Sequence, residues 1–157
     1  MKANVQTQRA DAMLRDLKRA GLKLTPQRIA IVRQFSDDAS HPTAQDLFER
    51  LKPSFPSMSF ATVYNTLDAL ARAGLAGIVR LPGKRGDAAR FDPNSDPHHH
   101  AVCDVCGAVI DIAAGSLAPS PGATKKLRRA APGFSVRAVE RIYRGSCARC
   151  ALRRSSQ

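Results

Sequence analysis

Apolar residues recur at helical spacing along the first half of the chain. Ala10, Met13, Leu14 and Leu17 line one side of a predicted helix over residues 6–20, which Gly21 ends. In LKLTPQRIAIVRQF, Thr25 is a good N-cap and Pro26 suits a first helical turn. Ile29, Ile31, Val32 and Phe35 supply the apolar face. After the loop SDDASHP, Ala44, Leu47, Phe48 and Leu51 predict a third helix over 43–51. The turn-rich KPSFPSM leads to Ser59, which caps a fourth helix, FATVYNTLDALARAG, stopping at Gly74. Its buried side draws on Ala61, Val63, Leu67, Leu70 and Ala71.

The pattern then changes. LAGIVRLPGKRGDAARFD reads as a hairpin with a Pro-Gly-rich tip and a second short strand ending near Phe91. Helices followed by a hairpin outline a winged helix-turn-helix domain over 1–91. DPNSDP, residues 92–97, is a plausible hinge. Residues 98–157 then form a second, α/β unit, giving an α+β chain. Here HHHAVC is a strand, DVCG a turn, AVIDIA a strand and FSVRAVERIYRGSC a further strand. A helix over about 122–131 is limited at its start by Pro119 and Pro121.

Composition adds a direction to this outline. The 157 residues carry a formal charge of +12, with 43% hydrophobic and 5% aromatic residues and no Trp. The charge is spread along the chain: 15 basic against 9 acidic side chains in residues 1–92, and 10 against 4 in the rest. Such an excess favours polyanionic partners, nucleic acid first, and otherwise serves as a solubilising surface. The N-terminus lacks the apolar core of a secretion signal, and no apolar run approaches the roughly 20 residues needed to span a bilayer. A soluble cytoplasmic protein without membrane contact is expected. In that compartment, two C-x-x-C pairs point to metal or redox chemistry rather than to disulfides.

The pairs are Cys103/Cys106 and Cys147/Cys150, with 40 residues between them. Each pair can wrap two thiolates onto one ion, and together they complete the all-sulfur tetrahedron that zinc favours. Such a site would be structural and would close a whole subdomain. A redox dithiol or unconnected buried cysteines are the competing readings. A different chemistry lies just upstream. On a strand, His98 and His100 project to one face and His99 to the other, so His98 and His100 form a partial chelate. Asp92, Asp96 and Asp111 are near in sequence. Imidazole with carboxylate suits Fe(II), Mn(II) or Zn(II). The alternative is a surface histidine cluster beside a hinge, with His41 a loop residue.

The fourth helix presents Ser59, Thr62, Tyr64, Asn65 and Asp68 on the faces its apolar residues leave free. Recognition helices offer N-terminal residues to base edges. Arg15, Lys18, Arg19, Lys23, Arg28, Lys84 and Arg85 are candidate phosphate contacts on double-stranded DNA. An enzyme reading is weaker. A non-haem iron oxygenase needs open coordination positions and a substrate pocket, and the H-x-E…P-C-x-x-C signature of a zinc deaminase is missing.

LTPQR (24–28), SHPTA (40–44), SFATVYNTL (59–67), RFD (90–92), HHHAVCDVCG (98–107), VID (109–111) and the C-x-x-C at 147–150 together resemble the ferric uptake regulator family, most closely its peroxide-stress repressors. The resemblance implies a homodimer with an N-terminal winged helix and a C-terminal α/β dimerisation domain. It implies structural Zn(II) on Cys103, Cys106, Cys147 and Cys150. It implies a regulatory Fe(II) or Mn(II) site on His41, Asp92, His98, His100 and Asp111, and it places Tyr64 at the DNA bases. Asp rather than Glu at 92 and 111 resembles the peroxide sensors. In these, iron-catalysed oxidation of a ligand histidine, His41 or His98 here, would release the operator. The alternative is an iron- or zinc-sufficiency repressor of the same fold. FSVRAVERIY has no His, so the resemblance does not extend to a further metal site that many relatives build there. Residues 114–132 match the family poorly.

Overall fold

A computed structural model describes residues 2–80, 89–113, 121–135, 139 and 141–154. The chain divides into two units, Met1–Ser95 and Asp96–Gln157. In the first, α1 (Lys2–Arg19), α2 (Pro26–Ser36), α3 (Ala44–Leu51) and α4 (Phe60–Arg72) precede an antiparallel pair, β1 (Gly77–Val79) and β2 (Arg90–Asp92). Helix α1 starts four residues before the expected position, because no Gly or Pro interrupts residues 2–19.

Local chemistry sets the other starts. The Thr25 hydroxyl accepts from the Arg28 N–H at 3.3 Å, with Pro26 opening α2. Thr43 and Asp46 form a reciprocal capping box: Thr43 Oγ1 accepts from Asp46 N at 3.1 Å, and Asp46 Oδ2 accepts from Thr43 N at 2.8 Å. Ser59 Oγ accepts from Thr62 N at 3.1 Å. Gly21 and Gly74, at φ 83° and 71°, end α1 and α4 in the left-handed region where a side chain would be strained.

The helices enclose Leu17, Ile31, Val32, Phe35, Leu47, Met58, Val63, Leu67 and Leu70, all essentially without solvent contact. Each such side chain contributes about 1.5–3 kcal/mol by leaving water. Thr66 joins this face, its hydroxyl satisfied by the Thr62 carbonyl at 2.7 Å. Ala61 is exposed, contrary to expectation, because it lies across the helix from the Val63–Leu67–Leu70 stripe. The hairpin pairs Ile78 with Phe91. Its tip, including Lys84 and Arg85, lies outside the described residues.

In the second unit, β3 (His98–Cys103) is the central strand. It pairs antiparallel with β4 (Val109–Ala113) and parallel with β5 (Ile142–Gly145). Helix α5 (Pro121–Ala130) takes Pro121 as its first residue, where the missing N–H costs nothing. Helix α6 (Ala148–Arg154) ends the described chain. The strand expected from Phe134 onward is shorter: β5 begins at Ile142, and residues 136–138 and 140 lie outside the described residues. Among the described residues, the buried apolar positions here are only Val102, Cys103, Val109 and Cys150. So small a core gains little from burial and needs another source of stability.

Candidate functional site

Beside this small core lies a cluster of four thiols. Cys103 closes β3, where its N–H donates to the Ala108 carbonyl at 2.9 Å. Gly107, at φ 72°, allows the tight return to β4 and donates its N–H to the Cys103 carbonyl at 2.8 Å. Parallel pairing sets Gly145 opposite Cys103, which brings the chain end back to the same place. Cys147 and the first turn of α6 then deliver Cys150. The four sulfurs lie within 4.8 Å of one another, and Cys106 Sγ is 3.8 Å from Cys147 Sγ. All four cysteines are free. A tetrahedron with zinc–sulfur bonds of about 2.3 Å has edges of about 3.8 Å, so the donor set fits zinc.

The electrostatics of the four thiols differ. Hydrogen bonds from the Cys147 N–H, and then from the Cys106 N–H, bring the Cys103 thiol down to about 6. The Ala108 N–H lowers Cys106. Cys150 is pushed up to about 12, first by its contact with the Cys147 sulfur and then by burial. One sulfur is therefore ready as thiolate, and another must lose a proton to an incoming cation.

On β3, alternation carries His98 and His100 to one face. Their Nε2 atoms are 2.9 Å apart and their rings 4.5 Å. The antiparallel register sets Asp111 opposite His100, with its Oδ1 3.6 Å from His98 Nε2 and 3.8 Å from His100 Nε2. His98 Nδ1 is 2.7 Å from the Asp96 carbonyl. A carbonyl only accepts, so Nδ1 bears the proton and Nε2 offers its lone pair inward. His99 points to the other face. It is buried there, and its Nδ1 accepts from the Arg141 N–H at 3.3 Å.

The first unit carries a second imidazole–carboxylate pair. Strand β2 folds back onto the loop before α3: Phe91 N donates to the Pro42 carbonyl at 2.9 Å, and Thr43 bridges to Arg90. The Arg90 guanidinium also donates to the His41 carbonyl at 3.0 Å. Sequence reasoning gave Arg90 no such task. Its only signal was adjacency to Phe91-Asp92. Asp92 is the last residue of β2, and its Oδ2 sits 3.5 Å from His41 Nε2, both side chains almost completely buried. His41 holds φ 52°, the one non-glycine in the left-handed region among the described residues. Histidine is among the residues that tolerate it, at a cost that points to a functional constraint. Donor atoms in an N/O shell of about 2.1 Å bonds lie about 3.0–3.5 Å apart, so the His41–Asp92 and His98–His100 separations match ligand spacing, and Asp111 stands slightly beyond it.

Helix α4 exposes Ser59, Tyr64 and Asn65, with Thr62 half-buried. Ser59 is occupied as the cap, and its hydroxyl meets that of Thr62 at 2.9 Å. Asp68 is paired with Arg72 one turn on. Arg15 and Lys18 project to solvent from α1. Arg28 is half-buried and donates to the Lys23 carbonyl at 2.7 Å. Phe60, missed in the sequence, is exposed beside Tyr64. No helix among the described residues is long and apolar enough to cross a membrane.

A winged helix-turn-helix unit, followed by a small sheet unit with thiolate and imidazole ligand sets, defines a class of DNA-binding folds built around metal ligation. Residues 19–129 match the sequence profile of the ferric uptake regulator family. The chain belongs to that family. It is 40% identical over 96 residues to the peroxide-responsive repressor PerR of Staphylococcus epidermidis, a match spanning 61% of this chain and 62%, less than two thirds, of that protein. It is 36% identical over 138 residues to the peroxide operon regulator of Bacillus subtilis, covering 87% of this chain and 90% of that one. Its fold resembles that of the Helicobacter pylori ferric uptake regulator Fur, described with three functional metal-binding sites. The TM-score is 0.68 at 16% identity, over 93% of each chain.

Proposed function

We propose that this chain is a metal-dependent transcriptional repressor that binds operator DNA as a homodimer and is released by peroxide. The observation that carries the reading is the pairing of two unlike donor sets. Cys103, Cys106, Cys147 and Cys150 form an all-sulfur set suited to structural Zn(II). His98, His100 and Asp111, with His41 and Asp92, are imidazoles and carboxylates suited to exchangeable Fe(II) or Mn(II). The names of the relatives, both peroxide regulators, support the subtype.

In this reading the five N/O donors share one ion, so that His41 and Asp92 of the first unit are tied to the sheet of the second. Ligation then favours one of two arrangements of the protein, the one competent for DNA. Bound Fe(II) would supply the reduction of hydrogen peroxide. The ligand imidazole, His41 or His98, would take one oxygen atom of the peroxide, the other leaving as water, and with its donor character lost the tie would be freed. Helix α4 reads the operator, with Ser59, Thr62, Tyr64 and Asn65 toward the bases and Arg15, Lys18 and Arg28 toward phosphates. The exposed apolar side chains Ile110 and Tyr143, both opposite Ala101 and so on one face of the second unit's sheet, support the homodimer. The reading assigns regulation rather than turnover, in the cytoplasm where DNA is accessible.

The test is DNA binding with Mn(II) or Fe(II), each with and without peroxide, followed by mass spectrometry of the peptides. The expected result is loss of binding only with Fe(II) plus peroxide, together with one added oxygen at His41 or His98. Indifference to peroxide, with binding restored by Fe(II) or Zn(II), would instead identify a metal-sufficiency repressor.

A further inference from the structure

Phe60 stands out on the surface of the first unit. It is the first residue of α4, directly after the Ser59 cap, and it is 43% exposed. A large apolar side chain at this position does nothing for the cap and little for the core. It is nevertheless held in place. The Phe48 ring meets it edge-on at 6.0 Å and 87°, and Tyr64, one turn along, lies 6.4 Å away at 32°. Phe48 is itself pinned, with the Lys52 ammonium 5.4 Å over its ring. Lys52 in turn donates to the Pro56 and Met58 carbonyls at 2.9 and 3.0 Å, fixing the connector that enters α4. The result is a rigid chain of contacts from Lys52 through Phe48 to an exposed aromatic pair.

We propose that Phe60 is a specificity-determining residue that reads the C5-methyl groups of thymine in the major groove, presented there in a fixed orientation by Phe48 and Tyr64. This rests on the reading of α4 as a recognition helix. A phenyl ring has no hydrogen bond to offer a base edge. The apolar feature of the major groove that matches it is the thymine methyl. A solvated phosphate would not select a phenyl ring. The basic excess of residues 1–92 supplies the attraction to the duplex, and Phe60 the discrimination. Because the ring is ordered before contact, little conformational freedom is lost on binding.

The test uses the full chain loaded with Zn(II) and Mn(II) and a randomised duplex library. The enriched sites should carry thymine within each half-site. Replacing the contacted thymine by deoxyuridine removes only the methyl group and should weaken wild-type binding about fourfold, the effect of one buried methyl. Phe60→Leu should keep most of that preference. Phe60→Gln, polar and smaller, should bind thymine and uracil duplexes equally, while keeping the helical content and bound zinc of the wild type. Enriched sites without thymine would overturn the proposal. So would a thymine-to-uracil ratio in Phe60→Gln equal to that of wild type, or a Phe60→Gln defect that leaves the ratio intact. Enrichment of no sequence under any metal would defeat the recognition-helix reading itself, a separate outcome.

Discussion

Cys103 and Cys150 show how position changes one chemistry into two. The Cys147 N–H stabilises the Cys103 thiolate, whereas Cys150, against the Cys147 sulfur and buried, resists ionisation to about 12. Zinc entering at neutral pH must therefore expel protons, Cys150's among them. Calorimetry in buffers of different ionisation enthalpy is expected to show proton release on zinc binding and an affinity that rises with pH. A binding enthalpy independent of buffer would contradict this. Cys106→Ser should cost most of the bound zinc, read by metal analysis. Asp38 illustrates the opposite sign. Burial raises its pKa, but hydrogen bonds from Ser40 and the Arg50 guanidinium outweigh that and leave it lowered. A lowered folded-state pKa means that its contribution is present above the ordinary carboxylate pKa and fades as pH falls through the folded value. Asp38→Asn should thus cost about 1 kcal/mol near neutrality. The gap from wild type should close in denaturant titrations at strongly acidic pH.

The elements depend on caps as much as on apolar faces. In α3, only eight residues long, the Thr43–Asp46 box satisfies two N–H groups that the helix leaves open. The same segment carries His41 and its contact with Asp92. Thr43→Ala is expected to lower stability by about 1 kcal/mol. It should also weaken binding of the regulatory metal more than binding of zinc, checked by competitive metal titration. Equal loss at both sites would argue against this coupling. Strand β3 works differently. Its alternation places His98 and His100 on one face and His99 on the other, while its end supplies Cys103. One six-residue strand thus serves both ligand sets.

The molecule divides its stability unevenly. The first unit has a continuous apolar core of helices. The second has few buried apolar side chains and four clustered thiols. Strong chelation should therefore unfold the second unit and leave the first helical. Calorimetry would then show one transition lost and one retained. Leu67→Ala, in the core of the first unit, should cost about 2–5 kcal/mol and abolish DNA binding while sparing zinc content. The charge of +12 also predicts DNA binding that weakens steeply with salt.

Features governed by local periodicity and short-range chemistry could be read from the residues in order. Such features are the four amphipathic helices, the caps Thr25 and Ser59, the two C-x-x-C pairs, and the shared face of His98 and His100. Each depends on neighbours within a few positions. How distant segments meet follows no local rule: the paired spacing suggested that the two thiol pairs converge, the family resemblance alone grouped the N/O ligands, and neither gave the contacts that bring them together. His41 meets Asp92 because β2 folds back on Pro42 and Thr43 and Arg90 holds the His41 carbonyl. Asp111 faces His100 because of the β3–β4 register, and the two thiol pairs converge because β5 runs parallel to β3. Phe60 escaped notice for the same reason. Its exposure and orientation come from Phe48 and Tyr64, and only packing between α3 and α4 brings Phe48 to it.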